Sequence, residues 1–455
     1  MIPVLTPEEM GEVDRRATES IDVLVSRAGS AVARAAVSML GGTYGRRVIV
    51  VAGKGNNGND GRDAARRLVR RGVRVEVIDI ETAPAELPAA DLVIDAAYGT
   101  GFRGDYQAPK LVDGTPVLAV DIPSGVDGLT GAVPGSAWTA TRTVTFAALK
   151  PGLVFEPGRA RAGVVSVVDI GLNIDRDIGD PAAFVVESAD VAGWLPLRSP
   201  TAHKWQRAVW VIAGSPGMSG AAALAAGGAQ RAGAGYVRLS SPGVAISGCS
   251  APAEVVQTSL DGDGWATEVL AEQDRFGALV VGNGLGLAAT TQAQVRELVA
   301  ATEGVTVVDG DGLTAVAEGS LGPLGPHVIL TPHDGEFTRL AGAAPGEDRI
   351  AATRDLAARL GCVVVLKGGP EVVANPDGRV LVVTTGDARL ASAGTGDVLA
   401  GVIAAVAAAG VEPWLAAAAG AFLHGAAGAL GWRHGLVAGD LLQHLPTVLD
   451  RLQAT

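Results

Sequence analysis

The chain has 455 residues, a formal net charge of −12 and only 4% aromatic residues. That length exceeds one ordinary core, so at least two domains are expected, built mainly on Ala, Val and Leu. The acidic balance excludes a nucleic-acid surface or an anionic-membrane partner, and two distant cysteines, Cys249 and Cys362, exclude a disulfide framework or a Cys-based metal site.

Residues 1–10 lack a basic segment followed by an apolar one, and no glycine-free apolar run is long enough to span a bilayer. With the reducing compartment implied by the cysteines, these features predict a cytoplasmic protein. Residues 6–40 read as helix, opened by Thr6-Pro7-Glu8-Glu9 with a cap, a first-turn proline and early acids. Residues 47–52 are a β-branched strand that runs into the loop Gly53-Lys54-Gly55-Asn56-Asn57-Gly58-Asn59-Asp60-Gly61. An amphipathic helix over 62–71 and a strand over 73–80 complete a βαβ unit, which implies a parallel sheet. The strand at 91–95 ends in Ala97-Tyr98-Gly99-Thr100-Gly101, and that at 116–120 ends in Asp121-Ile122-Pro123-Ser124-Gly125. Further strands are expected at 143–146 and 163–169, and a linker near 194–202, where Leu195-Pro196-Leu197-Arg198-Ser199-Pro200 breaks regular structure.

The second half starts afresh with a strand at 209–213 and a small-residue helix at 221–232. Strands at 236–239, 278–281 and 305–308 follow, the last two ending in Gly282-Asn283-Gly284-Leu285-Gly286 and Asp309-Gly310-Asp311. Residues 328–330 run into Thr331-Pro332-His333, and 363–366 into Lys367-Gly368-Gly369. A polar strand pair is expected over 372–383. Then Ser392-Ala393-Gly394-Thr395-Gly396-Asp397 turns into an apolar helix over 398–409.

Polar, glycine-rich loops at strand C-termini are where open α/β sheets bind ligands. Gly394 and Gly396 before a helix start suit a phosphate, and Asp397 beside it is placed to take a proton from a hydroxyl; the alternative is a plain N-cap. The 53–61 loop is neither a P-loop nor a dinucleotide fingerprint, and a tight capped turn is its other reading. Asp121 is a candidate base. Asn57, Asp95 and Ser124 offer hard oxygens for a weakly bound cation, unless the two aspartates merely cap turns. Lys367 is a plausible phosphate partner and His333 a ligand or an ordinary loop histidine. His424 and His434, flanking a helix, look bland.

Together these motifs resemble the bifunctional NAD(P)H-hydrate repair enzymes over nearly the whole chain. The first half is similar to the epimerase domain through the 53–61 loop, Asp95 with Gly99-Thr100-Gly101, and Val120 to Asp127. The second half is similar to the nucleotide-dependent dehydratase through Gly220-Ala221, the 282–286 loop, Thr331-Pro332-His333, Lys367-Gly368 and Gly394-Thr395-Gly396-Asp397. The resemblance implies an α/β chain with an N-terminal Rossmann-like three-layer domain, 1–195, plus a C-terminal ribokinase-like domain, 200–455. It implies that Asn56, Asn57, Gly58, Asn59, Asp60, Gly99, Thr100, Gly101, Phe102, Arg103, Gly104 and Asp105 hold NADHX or NADPHX. Asp121 then acts as acid/base, and Asn57, Asp95 and Ser124 bind K+. In the second domain Ala221, Gly284 and His333 would contact the hydrate. Lys367, Gly368, Gly369, Pro370, Glu371 and Gly396 would hold ADP or ATP with Mg2+, and Asp397 would activate the hydroxyl. No nucleic acid or membrane partner is implied, and a homo-oligomer is expected.

Some positions depart from the family pattern. Asn59 and Ala393 replace glycines, Asn283 replaces a proline, and Glu371 replaces a threonine with a charge that repels phosphates. A small-molecule kinase fused to a dinucleotide-binding domain, or a catalytically impaired nucleotide-binding protein, are the alternatives.

Overall fold

The computed structural model describes residues 1–245, 251–319 and 322–454. Cys249 lies outside the described residues; Cys362 is buried and free. The chain divides into compact units, Ile2–Ala183 and Phe184–Thr455.

In the first unit, β1 (Ile2–Val4) bridges Val4 to Leu149. The sheet is formed by β2 (Arg47–Ala52), β3 (Arg74–Asp79), β4 (Leu92–Ala96), β5 (Val117–Val120), β6 (Arg142–Phe146) and β7 (Val164–Val168). Its order is β3-β2-β4-β5-β6-β7, with every neighbouring pair parallel. Strand alternation sends Val48, Val50, Leu92, Ile94, Leu118 and Val120 to one core, and Ile49, Val51, Val93 and Ala119 to the other. The chain runs outward from β2 to β3 and returns to β4 on the other side, so the crevice between β2 and β4 is the switch point where ligands bind.

Local structure differs from expectation around that crevice. The segment from Asn56 on is helical: the helix is Asn56–Arg70, capped at Gly55. The glycines serve close packing, because a Cβ at Gly58 would lie 1.9 Å from the Gly53 carbonyl oxygen. Asn59 is therefore an exposed helical residue, and its φ is not positive. Residues 6–40 form two helices, Pro7–Arg16 and Ile21–Leu40, because Ala17 turns extended and Ser20 caps a fresh start. Thr6 and Glu9 close a reciprocal capping box, with Thr6 N–H donating to Glu9 at 2.7 Å.

The second unit holds β8 (Ala183–Val185), β9 (Ala208–Ile212), β10 (Tyr236–Ser240), β11 (Val256–Gln257), β12 (Ala278–Val281), β13 (Val305–Val308), β14 (Val328–Leu330), β15 (Val363–Leu366), β16 (Glu371–Ala374) and β17 (Val380–Val383). They run β8-β17-β16-β15-β14-β13-β12-β9-β10-β11. Among the described residues of this unit, only the β15–β16 and β16–β17 pairs are antiparallel. The pair expected to be polar is apolar and buried, since Val372, Val373, Leu381 and Val382 are core residues. Phe184 and Val185 pair with β17, and Val186 and Val191 enter this core. Residues 184–195 thus fold with the second unit, because the chain crosses over before the proline-rich break that marks the boundary in the sequence.

Among the described residues two helices, Ile21–Leu40 and Pro413–Leu430, are long and apolar enough to cross a membrane. Both are core helices: Ala28, Val32 and Ala36 of the first, and Leu423 and Ala427 of the second, are buried in their units. Beyond its first turn, from Val398 on, the helix Thr395–Ala408 is apolar and buried on all sides. It crosses the helix Ser219–Arg231 so closely that a Cβ at Gly401 would lie 2.0 Å from the Ala225 carbonyl oxygen. Gly401→Ala is expected to destabilise the second unit by about 3 kcal/mol through forced backbone displacement, read as a lower denaturant midpoint at unchanged slope.

Candidate active sites

At the first switch point lies a cavity of about 840 Å³. It is lined by Asn56, Asn57, Asp60, Gly99, Thr100, Gly101, Phe102, Arg103 and Asp121 among the residues expected there. Gly58, Asn59, Gly104 and Asp105 are not in the lining: Gly58 is buried, while the other three are exposed. Asp14, Lys54 and Lys150 join the lining without having been expected.

Asp121 sits just past β5 with φ 65°, a strained conformation for a residue with a side chain. Its Oδ1 accepts from Lys150 Nζ at 2.5 Å, Thr145 Oγ1 at 2.9 Å and the Phe146 N–H at 3.4 Å. Lys150 is 1% exposed and also donates to Thr145 Oγ1 and the Phe146 carbonyl. The arrangement suits a carboxylate and, among the described residues, leaves Oδ2 free of protein donors. Nothing in the sequence around Lys150 flags it; only its burial against Asp121 does. Burial and the neighbouring Asp121 and Asp63 push Asp60 up to about 8. Burial likewise raises Asp14, followed by the repulsion of Asp121.

Deeper in the same crevice, Ser124 donates to Asp95 from Oγ at 2.6 Å and from its N–H at 2.8 Å. Ser124 Oγ accepts from the Tyr98 N–H, and Asn57 Nδ2 donates to the Tyr98 carbonyl at 2.9 Å. Asn57 Oδ1 is buried without a partner. Burial pushes Asp95 up to about 6 against the lowering pull of Ser124. An unsatisfied carbonyl oxygen beside a carboxylate and a hydroxyl is a donor set that fits a hard monovalent cation.

In the second unit the charged groups gather at the C-terminal ends of β12 to β15, again beside a switch point, between β9 and β12. Asn283, past β12, donates from one Nδ2 to Asp309 Oδ2 at 2.9 Å and to Asp397 Oδ1 at 2.8 Å. Asp309 Oδ1 accepts from Lys367 Nζ and Thr331 Oγ1, both at 2.8 Å. Gly394, with φ 88°, starts the helix whose first turn carries Asp397. A Cβ at Gly396 would lie 3.4 Å from Lys367 Nζ, so these two expected nucleotide residues meet. Burial opposes the Lys367 ammonium, but Asp309 and Glu336 outweigh it and hold its pKa above the ordinary value. Burial holds Asp397 above the usual carboxylate range against the pull of the Asn283 amide.

Gly368, Gly369 and Pro370 form the turn between β15 and β16. Glu371 opens β16, and burial pushes it up to about 8 against Lys367. It presents a neutral carboxyl below that pH, so the charge repulsion read from sequence is largely lifted. Ala393 lies outside positive φ and tolerates its side chain. Ala221 and Gly284 adjoin, with a Cβ at Gly284 3.1 Å from that of Ala221. His333 caps the helix Asp334–Ala341, its Nδ1 accepting from Gly335 and Glu336, so a ligand can meet only Nε2, which lies 3.5 Å from Glu336 Oε1. His424 lies inside the helix Pro413–Leu430, not beside it, and burial pushes it down to about 4. The Asn283 bridge was unforeseen, although its place after a strand was visible.

Residues 209–450 match the NAD(P)H-hydrate dehydratase family, and residues 21–88 and 78–152 match the YjeF-related protein N-terminus. The chain is 36% identical to a bifunctional NAD(P)H-hydrate repair enzyme of Moorella thermoacetica, over 99% of this chain and 97% of that one. The chain belongs to the bifunctional NAD(P)H-hydrate repair enzyme family. A family member from Mycobacterium tuberculosis is 37% identical over 85% of this chain and 84% of its own. Among solved structures, the ADP/ATP-dependent NAD(P)H-hydrate dehydratase of Bacillus subtilis, co-crystallised with ATP and Mg2+, is 29% identical with TM-score 0.51. It covers 59% of this chain and 99% of itself. A ribokinase-like superfamily protein of Enterococcus faecalis, 22% identical with TM-score 0.53, shares the fold of this part of the repair enzymes.

Proposed function

We propose that the chain repairs hydrated NADH and NADPH, with one half of the task in each unit. The first cleft interconverts R- and S-NAD(P)HX. The second dehydrates the S form to NAD(P)H with ADP or ATP, releasing phosphate and, from ADP, AMP. The observation that carries this reading is the family match across 99% of the chain, spanning both charged clefts. We assign Asp121 to acid/base work on the hydrated carbon and Asp397 to the hydroxyl.

In the second cleft Asp397 takes the hydroxyl proton as the oxygen attacks the terminal phosphoryl group of the nucleotide. The backbone N–H groups after Gly394 and the Lys367 ammonium face the transferred charge. The nucleotide's terminal P–O bond breaks as the new O–P bond forms; the substrate's own C–O bond then breaks, phosphate leaves with its electron pair, and loss of a proton from the adjacent carbon restores the ring double bond. Mg2+ bound with the nucleotide would supply further charge neutralisation. In the first cleft Asn57, Asp95 and Ser124 would hold K+, a positive charge for the negative coenzyme. The cytoplasm and a homo-oligomeric state belong to the same reading; the first follows the coenzyme pool, the second the family resemblance.

The test is product analysis with mixed NADHX epimers and ADP. NADH, AMP and free phosphate in equal amounts are expected. A stable phosphoester would mean a kinase, and ADP binding without turnover an impaired protein. Because Glu371 is neutral below about 8, ADP affinity is expected to fall as pH rises past that value, when a carboxylate forms beside the phosphates. Glu371→Gln is expected to flatten the fall, measured by calorimetry.

A further inference from the structure

This inference rests on the epimerase reading of the first cleft. Four carboxyl groups line that cavity, those of Asp14, Asp60, Glu81 and Asp121, and Asp60 and Asp121 stand in opposite settings. Asp121 has the Lys150 ammonium, the Thr145 hydroxyl and the Phe146 N–H on one oxygen. Asp60 is 7% exposed and lines the same cavity. Among the described residues no group donates a hydrogen bond to its carboxyl. The charged groups that act on it are acidic: Asp121, Asp63 on its own helix, and Asp14 from the helix Pro7–Arg16. The nearby cations are committed elsewhere. Lys150 faces Asp121, Arg66 and Arg67 face Asp63, Lys54 faces Glu81, and Arg27 of the helix Ile21–Leu40 faces Glu19. Arg103 is exposed at the rim, bonded to backbone carbonyls. A buried carboxyl without donors or cations is a carboxylic acid; one with three donors is a carboxylate. Two such groups on one substrate cavity are an acid and a base.

The substrate chemistry needs both. Water adds across an enamine with the hydroxyl on the carbon bonded to nitrogen, so the inverted centre carries both oxygen and nitrogen. We propose that Asp60 is the acid of the epimerisation, a catalytic residue working with Asp121 as base. The Asp60 carboxyl gives its proton to the substrate hydroxyl as the C–O bond breaks. The ring nitrogen's electron pair forms C=N+, and water leaves. Water adds to the opposite face of that carbon, and its excess proton passes to Asp121. A proton then returns from Asp121 to Asp60 through water, and the pair is reset.

The experiment uses the full chain and pure R-NADHX without nucleotide, followed by chromatography of the epimers. For the unaltered protein, kcat is expected to fall as pH rises past about 8, where Asp60 loses its proton. In heavy-oxygen water each epimerised molecule is expected to carry label. Asp60→Asn is expected to lower kcat by about a hundredfold or more, with KM within about threefold and no alkaline fall in what remains. The same variant is expected to be more heat-stable than the parent, by a margin that widens from acid to alkaline pH. The sign follows from linkage: a carboxyl with a raised folded pKa costs stability as pH climbs from its unfolded value to its folded one. A parent protein that does not interconvert the epimers ends the epimerase reading itself. With interconversion intact, a flat alkaline profile, unlabelled product, or an Asp60→Asn variant that loses only KM overturns the role of Asp60 alone. The profile and the labelling need no variant, so a misfolded Asp60→Asn protein leaves the proposal open to refutation.

Discussion

Asp397→Asn is expected to lower the dehydration kcat by two to four orders of magnitude, roughly the worth of a general base, while ADP still binds. The substitution keeps shape and buried volume. Its amide oxygen can still accept from Asn283 Nδ2, which donates to Asp397 Oδ1 at 2.8 Å in the parent. What it cannot do is take a proton. Lys367 and the turn at Gly394 are untouched, so calorimetry with ADP should give an affinity within a few-fold of the parent. Epimerisation belongs to the other unit and should be unchanged, which makes it an internal control for folding. A variant that dehydrates within about tenfold of the parent rate would remove the assigned role.

Asp121→Asn is expected to produce the opposite pattern, with epimerisation lost by two to four orders of magnitude, about the worth of an acid/base group. Asparagine is the right replacement because Asp121 has φ 65°, a region that Asn adopts at lower cost than Ala. The cost to the first unit is also predictable. Lys150 is buried to 1% exposure, and its ammonium loses the carboxylate charge at Oδ1. Breaking a buried ion pair from one side costs about 3 to 5 kcal/mol, reduced here because Lys150 keeps Thr145 Oγ1 and the Phe146 carbonyl. A loss of about 2 kcal/mol in the first unit is therefore expected, seen in its unfolding transition. Lys150→Met in that background should recover part of it by removing the stranded charge. Dehydration of pure S-NADHX should survive both changes; its disappearance would show that the division of labour is wrong.

The legible parts of this chain were those with period and punctuation. Strand runs such as Arg47–Ala52 and Ala278–Val281 are β-branched, bounded by glycine loops, and fold where expected. Their order implied parallel sheets, and with them the strand tips where Asp95, Asp121, Lys367 and Asp397 gather. Less legible was the purpose of glycines. The 53–61 segment has a turn's composition, yet Gly58 and Gly61 let a helix lie on β2 and β4, with a Cβ at Gly61 meeting Ala96 at 2.5 Å. Composition alone does not separate a glycine needed for φ from one needed for proximity. Single residues recruited over long separations were not legible. Lys150 reaches Asp121 across the sheet, and Asn283 reaches Asp397 between distant loops. Lys150 belongs to no motif, Asn283 stands in the 282–286 loop with nothing there to mark its role, and each is identified only by its partner in space. The unit boundary was misplaced for a similar reason, since β8 is short and its pairing with β17 has no local signal.

The most direct measurement of the central claim is a single time course with pure R-NADHX and ADP. If each unit performs its step, all of the R form is converted to NADH, with one AMP and one phosphate for each NADH. Substituting Asp121 should leave the R form untouched, while substituting Asp397 should leave a mixture of R and S epimers. Conversion of the R form that survives Asp121→Asn, or a parent protein that consumes only the S form, would contradict the account.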